Sequence, residues 1–96
     1  MGLSFKKGSD DLRNSPSVKL VEMLKATGAI VTVHDPYVKN TVSLSEALSS
    51  AEIVILATNH SEFKTISPEI RKSGANIVYD VWSIYEKEDF PNLDYI

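Results

Sequence analysis

Short apolar segments alternate with helix-length segments along the chain, and this alternation limits the possible folds most strongly. Four apolar segments are typical of buried parallel strands: Gly2–Phe5, Ala29–His34, Ile53–Ala57 and Ala75–Val81. Parallel strands need crossover connections, which are right-handed and place the connecting helices against the faces of the sheet. The pattern predicts one α/β domain over residues 1–96, with a four-stranded parallel sheet and the first strand inside, between the second and third.

Helix signals stand in each interval between these segments. Ser15 and Pro16 are typical of an N-cap and a first helical residue, and Gly28 is typical of the stop. Further signals are a capping box at Ser43 and Glu46, a Ser67-Pro68 start, and Gly74 as a stop. We therefore expect a Rossmann-like, three-layer domain with helices on both faces of the sheet. Residues 82–96 show no clear period and are expected to form irregular structure or a short turn.

The composition excludes several classes of function. The chain has 96 residues, a formal net charge of −3 and no cysteine. The acidic balance argues against non-specific nucleic-acid binding, and without cysteine there is neither a disulfide framework nor a thiol nucleophile. The longest aliphatic run, Ile53–Ala57, is too short to span a membrane. We expect a cytoplasmic protein with no membrane contact.

A charged loop follows the first predicted strand. It contains the cations Lys6, Lys7 and Arg13 beside Asp10 and Asp11, and it leads into a helix start. Cations at the carboxyl end of a parallel strand, next to a helix N-terminus, suit an anion such as a pyrophosphate. The alternative is a solvated turn in which the aspartates neutralise the cations. The loop lacks a Gly-x-Gly-x-x-Gly pattern, so NAD binding in the usual Rossmann manner is not expected, and Asp35 is interpreted as a turn residue.

The same stretch carries a family resemblance. Gly-Leu-Ser-Phe-Lys, followed by Asp-Asp-Leu-Arg-Asn-Ser-Pro, closely resembles the opening of the C-terminal, UDP-binding domain of the UDP-glucose/GDP-mannose dehydrogenases. A UDP-N-acetyl-mannosamine or -glucosamine dehydrogenase is one candidate within that family. The resemblance implies that Phe5 and Lys6 contact the nucleotide sugar and that Arg13 lies near NAD.

Three further residues are candidates for the crevice. Asp11 is interpreted as a brace for Arg13 or a helix-end carboxylate. His60 is either hydrogen-bonded structure or a ligand contact, and it is not spaced with His34 as a metal-ligand pair. Trp82 stands where many members of the resembled family have an arginine, and an indole can stack on a base or sugar but cannot neutralise a phosphate. No metal site is expected.

The resemblance implies an NAD-dependent nucleotide-sugar 6-dehydrogenase, which oxidises a UDP-sugar to a UDP-uronic acid for polysaccharide precursors. Its NAD-binding and central domains, its catalytic cysteine and its homodimer contacts would come from segments outside this chain. We therefore expect residues 1–96 to be a fragment that binds UDP-sugar and does not catalyse by itself. The alternative is a stand-alone small α/β module for nucleotide binding or regulation.

Overall fold

The structure, a computed structural model, describes residues 1–3 and 15–96. Its α-helices are α1 (Pro16–Ala26), α2 (Leu44–Leu48) and α3 (Ser67–Lys72). Its strands are β1 (Ile53–Leu56), β2 (Ile77–Asp80) and β3 (Asp94–Tyr95), and 3-10 helices cover Ser61–Thr65 and Lys87–Asp89. From α2 to β2 helices and strands alternate as the sequence predicts, but no strand separates α1 from α2.

The three strands form a parallel sheet in the order β1-β2-β3. The prediction of irregular structure or a short turn over residues 82–96 is wrong at Asp94–Tyr95, which form β3. Its backbone continues the ladder: the Asp94 N–H donates to the Asn76 carbonyl, and the Ile96 N–H donates to the Val78 carbonyl, both at 2.9 Å. A two-residue strand is too short to produce a recognisable alternation in the sequence.

Residues 1–3 continue the sheet beyond β1 without being assigned as a strand. The Met1 amino group donates to the Ile55 carbonyl, and the Ala57 N–H donates to the Met1 carbonyl, both at 2.8 Å. The Gly2 N–H donates at 2.8 Å to the His34 carbonyl. Met1 and Gly2 therefore lie between the 29–34 segment and β1, which is the interior position predicted for the first strand.

The predicted four-stranded sheet is nevertheless not confirmed. Ala29–His34 is not a strand in the structure, although its residues are mostly β-branched or apolar. Ile30 is 98% exposed, so the beginning of this segment lacks the packing that makes β-branched side chains favour a sheet. In the predicted strand Gly2–Phe5, residues 4 and 5 lie outside the described part of the chain.

The main core lies on one face of the sheet. Val54, Leu56 and Val78 alternate with more exposed neighbours and pack with residues of the helices and of the C-terminal segment, namely Leu48, Phe63, Ile70, Tyr85 and Phe90. The apolar side of α1 lines a cavity of about 550 Å³ with β1 and the 29–33 segment. No helix in the described part of the chain is both long and apolar enough to cross a membrane.

Two of the three predicted serine caps differ from the structure. Ser43 accepts the Glu46 N–H at 3.1 Å and caps α2 as predicted. Ser67 is already the first residue of α3, with Ile66 in the capping position. Ser15 has the backbone of an N-cap, but its hydroxyl makes no capping bond and donates to the Leu3 carbonyl instead.

A buried carboxylate holds the C-terminal segment. Asp80, at the end of β2, accepts the Tyr85 N–H at 2.8 Å on Oδ2, and the Tyr95 hydroxyl lies 2.7 Å from the same oxygen. Burial, followed by the bond to Asp80, raises the pKa of Tyr95 to about 12. The Tyr85 hydroxyl donates to the Phe63 carbonyl and accepts the Ile66 N–H. These bonds join β2, the C-terminal segment and the turn before α3.

Gly2→Ala should destabilise the domain strongly. Gly2 has a φ of 92°, and a Cβ built there would lie 2.5 Å from the Thr58 Cβ and 2.7 Å from the Thr58 backbone nitrogen. Left-handed strain and overpacking together should lower the free energy of unfolding by roughly 2–5 kcal/mol, measured by urea denaturation. Gly28→Ala is the matched control: its φ is 90° but its Cβ would meet nothing within 4 Å, so only the strain, about 1–2 kcal/mol, remains. Equal losses in the two variants would contradict the proposed clash.

Tyr95→Phe should reduce the loss of stability at high pH. The Tyr95 pKa is about 12 in the folded chain against a reference value of 10.0. Between these values the unfolded chain releases a proton that the folded chain keeps, so stability falls as pH rises. From pH 10 to 11 the wild-type chain should lose more stability than Tyr95→Phe in urea titrations. Tyr79→Phe, which alters a half-exposed ring of β2, is the matched control, and equal slopes for wild type and Tyr95→Phe would refute the assignment.

Candidate functional site

Chain segments converge at the carboxyl edge of the parallel sheet. Leu3 leaves the sheet there, Asp35 follows the 29–34 segment, and residues 57–60 follow β1. The bonds between these segments are direct: Asp35 accepts from Leu3 and from His60, and the Trp82 indole beyond β2 donates to the Ala57 carbonyl. In open α/β sheets, ligands bind in the crevice outside this edge. The edge is therefore the candidate ligand site.

Asp35 is the central residue of this edge. Its carboxylate is only 2% exposed and accepts the Leu3 N–H at 2.7 Å and His60 Nε2 at 3.0 Å on Oδ2. Oδ1 accepts the Tyr37 N–H at 2.9 Å, the local bond expected of an aspartate in a turn. The interpretation of Asp35 as a turn residue is therefore incomplete, because the same carboxylate also joins two other segments of the chain.

His60 is fully buried beside Asp35. Its Nε2 carries the proton of this bond, since an ionised carboxylate only accepts. The Tyr37 ring lies 4.7 Å from the imidazole on one side, and the Phe63 ring lies 5.3 Å away in a T-shaped contact. These contacts fit the interpretation of His60 as hydrogen-bonded structure. A direct contact with a ligand stays a prediction.

An exposed hydrogen bond flanks this pair. Tyr37 and Glu62 are joined through their side chains, and this bond raises the pKa of the Tyr37 phenol and lowers the pKa of the Glu62 carboxyl. Tyr37 therefore contacts His60 through its ring and Glu62 through its hydroxyl. The Tyr37 side chain links the turn after Asp35 to the 3-10 helix that follows His60.

Ser15 and Leu3 meet at the same edge, although eleven residues separate them in sequence. The buried Ser15 hydroxyl donates to the Leu3 carbonyl at 2.6 Å. Two residues further on, the Ser17 hydroxyl lies 3.5 Å from the Ala57 carbonyl, at the limit of a hydrogen bond. The start of α1 is thus placed against the end of the first segment.

Trp82 projects from the edge beyond β2. Its Nε1–H donates to the Ala57 carbonyl at 3.0 Å, and the residue is 52% exposed. The indole nitrogen is fixed while a large part of the ring remains open to solvent. Such a ring can accept a flat partner by stacking.

The remaining predicted site residues, Phe5, Lys6, Asp11 and Arg13, lie outside the described residues, and their roles stay predictions. His60 and Trp82 do lie at the same edge of the sheet. Within residues 1–3 and 15–96, no group of three or more His, Cys, Asp or Glu side chains could hold a metal ion.

Sequence reasoning missed the function of Asp35 and of the Ser15 hydroxyl. The available signal for Asp35 was its position directly after a β-branched segment and before a proline, where a carboxylate can bind turn amides. Nothing local reveals that Leu3 and His60 donate to it. For Ser15 the signal pointed to a helix cap, and the observed bond depends on where Leu3 lies in three dimensions.

Comparison with known proteins identifies a family of dehydrogenase domains. Residues 1–87 match the model of the UDP-glucose/GDP-mannose dehydrogenase family, UDP binding domain. The chain is 41% identical over 70 residues to the UDP-N-acetyl-D-mannosamine dehydrogenase of Pyrococcus horikoshii, covering 72% of this chain and 17% of that protein. It is 30% identical to the UDP-glucose 6-dehydrogenase of Rhizobium meliloti, covering 93% of this chain and 23% of that protein.

Solved structures share the fold. The UDP-D-ManNAc dehydrogenase from P. horikoshii superposes with a TM-score of 0.80 at 37% identity, covering 90% of this chain and 21% of that chain. The NDP-N-acetyl-D-galactosaminuronic acid dehydrogenase from Methanosarcina mazei superposes with a TM-score of 0.86 at 30% identity, covering 99% and 22%. The chain thus spans about a fifth of the length of these relatives.

Proposed function

We propose that this chain binds the UDP portion of a nucleotide sugar at the carboxyl edge of its sheet. The chain belongs to the UDP binding domain family of the UDP-glucose/GDP-mannose dehydrogenases. The observation that carries this proposal is the convergence of Leu3, Asp35, His60 and Trp82 at one edge. This edge is where ligands bind in open α/β sheets, and Leu3 and Ser15, the residues on either side of positions 4–14, meet there. The cations of positions 4–14 suit the charge of a diphosphate, and the exposed indole of Trp82 suits stacking on a flat base.

The whole protein is proposed to be an NAD-dependent UDP-sugar 6-dehydrogenase. The relatives' names support a dehydrogenase acting on UDP-sugars, with UDP-N-acetyl-D-mannosamine and UDP-glucose among their substrates. In this proposal the NAD-binding and central domains, the catalytic cysteine and the homodimer contacts come from other segments, and this chain supplies nucleotide-sugar binding. The cytoplasmic location stays a prediction.

The described residues do not fit a Rossmann-type NAD site. Such a site uses an acidic side chain after the second strand to bind ribose hydroxyls. Asp35 occupies the corresponding place, but it is buried and its carboxylate accepts from Leu3, Tyr37 and His60. We therefore assign NAD contacts in this chain only to Arg13, as the family resemblance implies.

The residue roles follow from side-chain chemistry. Lys6 is proposed to bind the diphosphate through charge-assisted hydrogen bonds, with Phe5 against the nucleotide sugar. Asp11 is proposed to brace Arg13. Trp82 is proposed to stack on the base or sugar, replacing the charge interaction of the family arginine with a flat apolar contact.

Lys6→Ala should weaken UDP binding about tenfold to a hundredfold. A charge-assisted hydrogen bond contributes roughly 1.5–3 kcal/mol, at about 1.4 kcal/mol per decade of affinity. NMR titration of the 96-residue chain with UDP is a suitable assay, because it detects weak binding. Lys7→Ala is the matched control and should change the affinity far less. Equal losses would indicate a diffuse basic surface, and absence of UDP binding by the wild-type chain would refute the proposed function.

Trp82→Ala should weaken UDP binding by roughly 1–3 kcal/mol, the range for base–aromatic stacking. Trp82→Phe keeps an aromatic face but lacks the bond to the Ala57 carbonyl, so its affinity should lie between those of wild type and Trp82→Ala. Tyr79→Ala removes another half-exposed ring, from within β2, and is the matched control with unchanged affinity. If Trp82→Ala binds UDP like the wild type, Trp82 does not stack on the ligand.

A further inference from the structure

We propose that Asp35 and Ser15 are positioning residues. Through their side chains they hold Leu3, which precedes positions 4–14, next to Ser15, which follows them. This inference rests on the proposed function, since it assigns the two side chains a part in nucleotide binding. Neither is proposed to touch the ligand. Their effect is to set where the chain that carries Phe5, Lys6 and Arg13 starts and finishes.

Leu3 is bonded to side chains through both of its backbone polar groups. Its N–H donates to Asp35 Oδ2 at 2.7 Å, and its carbonyl accepts the Ser15 hydroxyl at 2.6 Å. Just before it, the Gly2 N–H donates to the His34 carbonyl, and Thr58 leaves no room for a side chain at Gly2. The peptide at the end of the first segment is therefore held from several directions.

The Asp35 carboxylate can fix Leu3 because it is itself fixed. Oδ1 accepts the Tyr37 N–H, and Oδ2 also binds His60, which is packed between Tyr37 and Phe63. The Asp35 backbone is held as well: its N–H donates to the Thr41 hydroxyl at 3.2 Å, and its carbonyl lies 3.1 Å from that hydroxyl. A carboxylate with this many bonds cannot swing away from Leu3 without breaking several of them.

Ser15 holds the Leu3 carbonyl, as Asp35 holds the Leu3 N–H. Because its hydroxyl binds Leu3, the residue that precedes positions 4–14 and the residue that follows them are bonded to each other. Binding costs less conformational entropy when the chain on either side of the contact residues is already held in place. Losing the bond between Leu3 and Ser15 should therefore lower affinity without removing any ligand contact.

Ser15→Ala is the first test, with UDP affinity measured by NMR titration and stability by urea denaturation. We expect UDP affinity to fall about fivefold, the loss that corresponds to one neutral hydrogen bond. Ser15→Thr restores the hydroxyl and should bind within about twofold of the wild type. Ser43→Ala is the matched control: it deletes a serine hydroxyl that caps α2, so it should lower stability but leave UDP affinity unchanged. If Ser15→Ala binds UDP as the wild type does, or if Ser43→Ala loses as much affinity, the positioning role is refuted.

Asp35→Ala gives a test that needs no ligand. Alanine removes both carboxylate oxygens, so the Leu3 N–H loses its acceptor. Hydrogen exchange at the Leu3 amide should become at least about tenfold faster than in the wild type, since a buried bond is lost. Ser43→Ala should leave that rate unchanged. Unchanged exchange at Leu3 in Asp35→Ala would refute the positioning role even if UDP binds. A wild-type chain that fails to bind UDP would refute the proposed function, and the exchange result would then decide on the Leu3 contacts alone.

Discussion

The hydrogen bonds of the buried Asp35 carboxylate are the interactions on which the carboxyl edge of the sheet depends. An ionised carboxylate is stable in the interior only when hydrogen bonds replace its hydration, and here Leu3, Tyr37 and His60 supply them. Each donor comes from a different part of the chain, so satisfying one charge fixes three segments together. The cost of burying Asp35 thus imposes a defined geometry on the carboxyl edge of the sheet.

The apolar face of the sheet contributes stability, whereas the Asp35 carboxylate fixes the positions of the segments at the carboxyl edge. Val54, Leu56 and Val78 bury apolar surface on one face and stabilise the strands, but apolar packing has little directional preference. Hydrogen bonds at the strand ends do have direction, and they decide where Leu3, His60 and Trp82 lie relative to one another. Asp80 repeats the arrangement further along the sheet, where it joins Tyr85 and Tyr95.

Local sequence signals were sufficient for some features and not for others. The Ile53–Ala57 run, the stop at Gly28 and the Ser43 cap could be predicted, because each depends on neighbours within a few residues. The two-residue strand β3 could not be predicted, since it forms through the exposed ladder groups of β2 and has no period of its own. The Ser15 hydroxyl and the Asp35–His60 pair depend on residues far apart in sequence, which no local pattern encodes. The opening motif was sufficient to predict the family, whereas the contacts of Leu3 and Ser15 could be learned only from the three-dimensional structure.

The proposed stacking by Trp82 would change the ligand preference of such a domain without changing its fold. The indole nitrogen donates to the Ala57 carbonyl, so the ring, which lies beyond β2, is attached to the residue that follows β1. An arginine there would present a charge whose attraction reaches across the crevice and weakens with added salt. The indole presents a flat surface whose contribution depends on close contact and is insensitive to salt. If the diphosphate is bound by Lys6, a stacking group at position 82 acts on the base or sugar instead, and the two ends of the ligand are recognised by different physical interactions.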